Sequence, residues 1–117
     1  MSKQWKIVYY QKKDGSEPAV DFLENLPVKD RVKMLRCIDL LCELGPLIRS
    51  PHAKALTGQS NLFELRSKVG SNIQRVLYFY CTPDQSYVLL NGFTKKTNKT
   101  PPQEIERAKR YRDDWLS

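Results

Sequence analysis

The spacing of apolar residues changes several times along this chain, and each change predicts a new secondary-structure element. An apolar, aromatic and β-branched run from Trp5 to Tyr10 predicts a first strand. A short helix follows a Lys-Lys-Asp-Gly turn, with Ser16 as its N-cap. Apolar residues then recur at steps of three and four over residues 28–44, which predicts a longer helix that Gly45-Pro46 ends.

Strand-like patterns dominate the second half of the chain. Residues 47–60 contain Pro, Ser and Gly without a clear period, which predicts a loop. Thr100, Pro101 and Gln103 have the spacing of a capping box, which predicts a last helix from Pro101 to about Trp115. Between the loop and this helix, three strands are predicted at hairpin spacing: Leu62 to Lys68, Asn72 to Cys81 and Ser86 to Thr94.

The predicted order is therefore β-α-α-β-β-β-α in a single domain over residues 1–117. The last three strands are predicted to form an antiparallel meander. The first strand is expected to return to the edge or the centre of the same sheet. We expect an α+β fold with the helices packed against one face of that sheet.

Charge adds the first indication of a partner. Lys and Arg number 20 against 13 Asp and Glu, which gives a net charge of +7. Residues 49–112 hold twelve Lys or Arg and four acids, so they carry +8 and the rest of the chain is close to neutral. A surplus of this size favours a polyanionic partner, the alternative being a basic domain without one.

Several classes of protein are disfavoured. No signal peptide or membrane-spanning run is visible, which predicts a cytoplasmic protein. The three cysteines lack a CxxC pair and are predicted to be small apolar core residues in a reducing compartment. No cluster of His, Cys, Asp and Glu has metal-ligand spacing, and phosphate-loop and nucleophile-elbow motifs are missing, so no metal or cofactor is predicted. The lone His52 is interpreted as solvated.

Cations on the predicted strands are the main candidates for chemistry. Arg66 shares a strand face with Glu64, and the two could form an orienting ion pair or a solvated pair of little consequence. Arg75 lies in the most apolar strand, so it needs a partner or lines a cleft. Lys95 and Lys96 end the last strand, with Lys99 nearby before a helix start that attracts anions.

Aromatic residues offer a second mode of contact. Tyr78, Tyr80 and Tyr87 could stack on RNA bases, although tyrosines in strands more often serve packing.

Short phrases of the sequence resemble a known family. Leu62-x-Glu64-Leu65-Arg66, Arg75-Val76-Leu77-Tyr78-Phe79 and Leu90-Asn91-Gly92-Phe93-x-Lys95-Lys96-Thr97 are similar to motifs of the RelE/ParE superfamily of bacterial toxins. The similarity is to its phage-derived HigB-like branch, and it extends from Ile7 to about Arg110.

The resemblance implies a toxin of a type II toxin–antitoxin pair that enters the ribosomal A site and cuts mRNA. A ribose 2′-hydroxyl would attack the neighbouring phosphate without a metal. Arg66 and Arg75 would hold the scissile phosphate, Lys95 and Lys96 would add positive charge, and one of these lysines could act as the base. The family pattern further implies RNA contacts by Lys54 and Lys68, and Tyr78 and Lys99 join them as RNA-binding candidates because of the stacking and the helix start noted above.

One position departs from the family pattern. Many relatives carry His where this chain has Asn91, which cannot transfer protons near neutral pH. Two alternatives therefore stay open: a toxin of the same fold that acts on DNA gyrase, as in the ParE branch, and an inactive basic binding module. The implied partner is a small antitoxin, often a helix-turn-helix protein.

Overall fold

A computed structural model describes residues 4–117 of the protein. A short 3₁₀ turn (Gly45–Leu47) follows the second helix. The regular elements in chain order are β1 (Lys6–Tyr9), α1 (Pro18–Glu24), α2 (Val28–Leu44), β2 (Ala53–Ala55), β3 (Phe63–Val69), β4 (Asn72–Cys81), β5 (Ser86–Lys95) and α3 (Pro102–Leu116).

The strands form one mixed sheet in the order β1-β5-β4-β3-β2. β3, β4 and β5 are consecutive antiparallel neighbours, as the sequence predicts. β1 pairs with β5 in parallel, so the sheet as a whole is not an antiparallel meander. The predicted loop over residues 47–60 also contains β2, which pairs with β3. A strand of three residues is too short to show an alternating pattern, which explains why the sequence did not reveal it.

Helices cover both faces of the sheet, and the prediction of one covered face is wrong. α1 and α2 pack with Leu65, Val76 and Leu89 in one core. On the opposite face Ala108 of α3 packs with Leu77 in a second core. β4 and β5 carry continuous apolar runs rather than a strict alternation, because both of their faces are buried.

Both predicted N-caps are wrong. α1 begins after Glu17, and the Ser16 hydroxyl donates instead to Asp14 Oδ1 at 2.6 Å. α3 begins after Pro101, and no side chain caps it. The hydroxyl of Thr100 donates to Glu64 Oε2 at 2.6 Å, so a buried strand carboxylate takes the hydrogen bond that the capping pattern would have used.

A β-bulge and a glycine shape the end of β5. The register between β4 and β5 shifts at Leu77/Tyr78, and both Leu90 and Asn91 then contact the α3 side. At Gly92 an added Cβ would lie 2.2 Å from the ring of Phe22. This close approach requires glycine, and it brings α1 down onto β5.

Candidate nucleic-acid interface

A cleft of about 610 Å³ lies between α2 and the sheet edge formed by β2 and β3. We call it the basic cleft. No carboxylate is among the described residues that line it. Its Lys, Arg and His lining residues are Lys33, Arg36, His52, Lys54, Arg66 and Lys68. Such a wall attracts anions, because no carboxylate lines it, although Arg66 has a buried acidic partner outside the lining.

The two walls of the basic cleft are joined through Cys37. Its single S–H proton is shared between the carbonyl oxygens of His52, at 3.3 Å, and of Arg66, at 3.5 Å. Burial raises the pKa of this thiol to about 11. The backbone N–H of Arg66 also donates to the His52 carbonyl at 2.8 Å. These contacts fix the backbone behind the cations, so the side chains project from a rigid frame.

Arg66 connects the basic cleft to the interior. Its Nε donates to the carboxylate of Glu64, which is 0% exposed, while the Arg66 side chain is 18% exposed. A second guanidinium nitrogen donates to the Asn98 carbonyl at 2.6 Å. The solvated pair, which the spacing alone favoured, is therefore wrong because the carboxylate is buried, and the alternative of an orienting ion pair is the one present.

Arg75 lies directly opposite Arg66 in the β3–β4 register and is 0% exposed. Its two terminal nitrogens donate to the carbonyls of Lys99, at 3.0 Å, and of Thr97. The guanidinium carbon lies 5.8 Å from the centre of the Phe93 ring. Burial, followed by the nearby Arg66 charge, lowers the pKa of Arg75. The predicted partner therefore exists, and it is the backbone of the β5–α3 loop (residues 96–101).

Three predicted lysines lie outside the basic cleft. Lys95 ends β5, and Lys96 and Lys99 are in the β5–α3 loop; all three are exposed. From this loop the basic cleft is lined by Asn98. The lining of the basic cleft thus brings together Lys54, Arg66 and Lys68 from the predicted set, and it does not include the remaining lysines or Arg75, which is buried beside Arg66.

Tyr78 lies on the other face of the sheet. It is three positions from Arg75 on β4, and successive strand residues alternate between faces. Its ring is buried and stacks on Phe63 with centroids 5.4 Å apart. Tyr78 therefore does not share a site with Arg75, although it borders a second cavity described below.

Asn91 serves the packing of α3. Its Nδ2 donates to the Glu104 carboxylate at 3.2 Å, and Arg107 in turn contacts that carboxylate at 3.0 Å. Asn91 is buried and does not line the basic cleft. Asn91, which was expected to depart from the family pattern, thus bonds to a helix.

Sequence reasoning missed three residues of the basic cleft. Lys33 and Arg36 are three apart on α2 and so share a helix face, a spacing visible in the sequence. Nothing in the sequence showed that this face meets the β3 edge, where Lys33 Nζ donates to the Lys68 carbonyl. His52, interpreted as solvated, is exposed but lines the cleft because the unpredicted β2 follows it.

Two further observations concern metal binding and membrane spanning. Within residues 4–117 no group of three or more His, Cys, Asp or Glu side chains could hold a metal ion. In the same part of the chain, no helix has the length and apolar character needed to cross a bilayer.

Comparisons with known proteins place the chain in a family. The model of the family described as phage-derived protein Gp49-like (DUF891) matches residues 21–113, and the chain belongs to this family. The fold is similar to that of a chain in the crystal structure of the archaeal RelE–RelB complex from Pyrococcus horikoshii OT3. Identity to that chain is 22%, the TM-score is 0.53, and the match covers 82% of this chain and 99% of the other. No curated protein matches the sequence.

The match to this solved structure confirms the predicted RelE-like α+β fold.

Proposed function

We propose that this protein is the toxin of a type II toxin–antitoxin pair and that it cuts mRNA on the ribosome, as in the HigB-like branch. The observation that carries the proposal is the basic cleft, in which five Lys and Arg side chains line a RelE-like scaffold without a carboxylate. RNA supplies the matching ligand, a chain of closely spaced phosphates.

The proposed reaction is an internal transesterification. The 2′-oxygen of a ribose forms a bond to the adjacent phosphorus, and the bond from phosphorus to the 5′-oxygen of the next nucleotide breaks. The 2′-proton passes to a base, and the leaving oxygen receives a proton. The products are a 2′,3′-cyclic phosphate and a 5′-hydroxyl. Fixed cations stabilise the extra negative charge of the transition state.

Within this mechanism Arg66 contacts the scissile phosphate from the wall of the basic cleft. Its guanidinium is oriented by Glu64 and by the Asn98 carbonyl, so little reorganisation is needed when phosphate binds. Lys54 and Lys68 bind flanking phosphates. Lys95, Lys96 and Lys99 add positive charge near the same edge.

Arg75 has a different proposed role. In the described conformation its terminal nitrogens are occupied by loop carbonyls, so it acts as a positioning residue for the β5–α3 loop. Direct contact with the scissile phosphate would require this loop to move away.

Proton transfer is assigned to His52. Imidazole is the side chain best suited to exchange protons near neutral pH, and His52 lines the basic cleft with Arg66. Asn91 cannot take this role. Lys95 and Lys96 remain the alternative bases, and substitution of His52 distinguishes them.

The proposed partners are the ribosomal A site with its mRNA, in the cytoplasm, and a small antitoxin, here a helix-turn-helix protein. A solved structure with this fold is itself described as a RelE–RelB complex. An acidic segment of the antitoxin would neutralise the basic cleft.

Expression in a bacterial host tests the toxin class. We expect growth arrest by the wild type and relief by the double variant Lys54→Gln/Lys68→Gln. Rapid loss of translation would support cleavage of mRNA. DNA damage and filamentation would instead indicate a gyrase poison, and growth without arrest would contradict toxin activity.

A further inference from the structure

A second cavity, of about 650 Å³, opens on the α1/α2 face of the sheet beyond the C-terminal end of α2. Gly45 makes room for its wall: the residue has a φ of +53°, and an added Cβ would lie 2.4 Å from the Trp5 ring. We call this space the aromatic cavity. Five aromatic side chains line it: Trp5, Phe63, Tyr78, Tyr80 and Tyr87.

The aromatic rings form a connected group. Tyr87 contacts three of the other rings. Its ring centroid lies 4.9 Å from that of Tyr80, 5.8 Å from that of Tyr78 and 5.9 Å from that of Trp5. Trp5, Phe63 and Tyr80 are partly exposed, whereas Tyr78 and Tyr87 are buried. Partly exposed rings on a rigid floor are the surface on which a planar aromatic ligand stacks.

The aromatic cavity is continuous with the basic cleft. Ser50, Ala53 and Lys54 line both spaces. Arg49 adds a second cation to the rim of the aromatic cavity, and no carboxylate is among the described residues that line it. Side by side, the two spaces offer stacking surface and positive charge, the two requirements for binding single-stranded nucleic acid.

We propose that the aromatic cavity binds a nucleobase of single-stranded RNA whose neighbouring phosphate lies at Lys54, at the entrance to the basic cleft. A purely apolar ligand would gain nothing from the shared cations, whereas a nucleotide uses both halves of the site. This inference rests on the proposed function, because it extends the same RNA-binding surface around the sheet edge.

Fluorescence of Trp5 reports on the aromatic cavity directly. The chain has two tryptophans, and Trp115→Phe leaves Trp5 as the single reporter. The probe is a DNA hexamer of adenine nucleotides, which lacks the 2′-hydroxyl and cannot be cut. The matched control is the same hexamer with abasic central positions, which keeps every phosphate.

We expect the adenine hexamer to change Trp5 fluorescence and to bind about tenfold more tightly than the abasic hexamer at the same salt concentration. Tyr80→Ala should remove this preference, and Tyr80→Phe should keep it because the ring face remains. Lys54→Gln should weaken binding of both hexamers, since both carry phosphate.

Equal affinity for the two hexamers, or an unchanged Trp5 signal on saturation, would overturn the proposal. So would a Tyr80→Ala variant that binds the adenine hexamer normally but loses affinity for the antitoxin, because the cavity would then hold a protein side chain. Hexamer affinity and Trp5 fluorescence can be measured whether or not the protein cleaves RNA. A preference for the adenine hexamer without cleavage of translated mRNA would support nucleobase binding in the aromatic cavity and would contradict the proposed nuclease activity.

Discussion

The cations of the basic cleft form a first group and the buried Arg75 a second, and their surroundings in this fold are opposite. In the basic cleft Lys54 and Lys68 are exposed and no carboxylate lines the wall. In the interior Arg75 is 0% exposed, and each of its terminal nitrogens donates to a loop carbonyl. The first group can receive an anion without any rearrangement, whereas the second already has its ligands in the protein.

Arg66 lies between the two groups and shares features of both. Its carboxylate partner is buried, but the guanidinium is still partly exposed in the basic cleft. The comparison shows that a cation on a strand is not in itself a binding residue. The partners that the fold supplies decide whether it binds a ligand or the protein's own backbone.

The largest effect is expected for Arg75→Ala. The change leaves the carbonyls of Thr97 and Lys99 without their donor, and we expect it to lower the free energy of unfolding by about 3 to 4 kcal/mol. Urea unfolding measures this, with Arg75→Lys as a partial rescue that keeps the charge. A stability equal to the wild type would show that the buried arginine does not hold the β5–α3 loop.

Next in size is the effect of His52→Gln on cleavage. Loss of a positioned base should lower the cleavage rate about a hundredfold, while RNA affinity stays the same. A cleavage rate equal to that of the wild type would move the base to Lys95 or Lys96.

Cys37, which lies behind the basic cleft, should make the free energy of unfolding depend on pH. The pKa of Cys37 is raised to about 11 in the fold, so the unfolded chain loses this proton first as pH rises. The stability contribution is present below about pH 9 and is lost between there and pH 11; at pH 10 the loss should be about 1 kcal/mol. Unfolding of Cys37→Ala should show a correspondingly weaker alkaline decline. An identical decline would mean that the thiol is not buried behind the cleft.

Removing one cleft cation should weaken binding without affecting the fold. We expect Lys68→Gln to lower affinity for single-stranded RNA about fivefold and to reduce the salt slope by about 0.7. Lys12→Gln, in an exposed turn remote from the cleft lining, is the matched control. Equal losses in the two variants would indicate non-specific attraction by net charge rather than a defined cleft.

The smallest effect is expected at the end of β5. Lys95→Gln and Lys96→Gln should each change RNA affinity by about twofold, because exposed charges outside the cleft are screened by salt. A loss as large as that of Lys68→Gln would show that the anion-binding surface extends beyond the basic cleft to the β5–α3 loop.

Much of the fold could be predicted from local patterns. The long helix over residues 28–44 and the three strands of the second half match the structure closely, because their periodicity is strong. β2, the parallel pairing of β1 and the position of α3 on the opposite face depend on contacts distant in sequence. No local pattern contains that information.

The candidate site was only partly predictable for the same reason. Alternation correctly placed Glu64 and Arg66 on one strand face. The choice of Thr97 and Lys99 as partners of Arg75 depends on how the β5–α3 loop folds back, and the contribution of His52 depends on β2. Sequence therefore identified the cations but could not separate those that face a ligand from those that hold the chain.

Primer extension on a translated mRNA after induction tests the central claim most directly, comparing the wild type with His52→Gln and with Lys54→Gln/Lys68→Gln. These substitutions are at exposed cleft positions, so they avoid the loss of stability expected for Arg75→Ala. We expect discrete cuts within codons for the wild type and their loss in both variants. Growth arrest by the wild type without any such cuts would reject mRNA cleavage as the cause of toxicity.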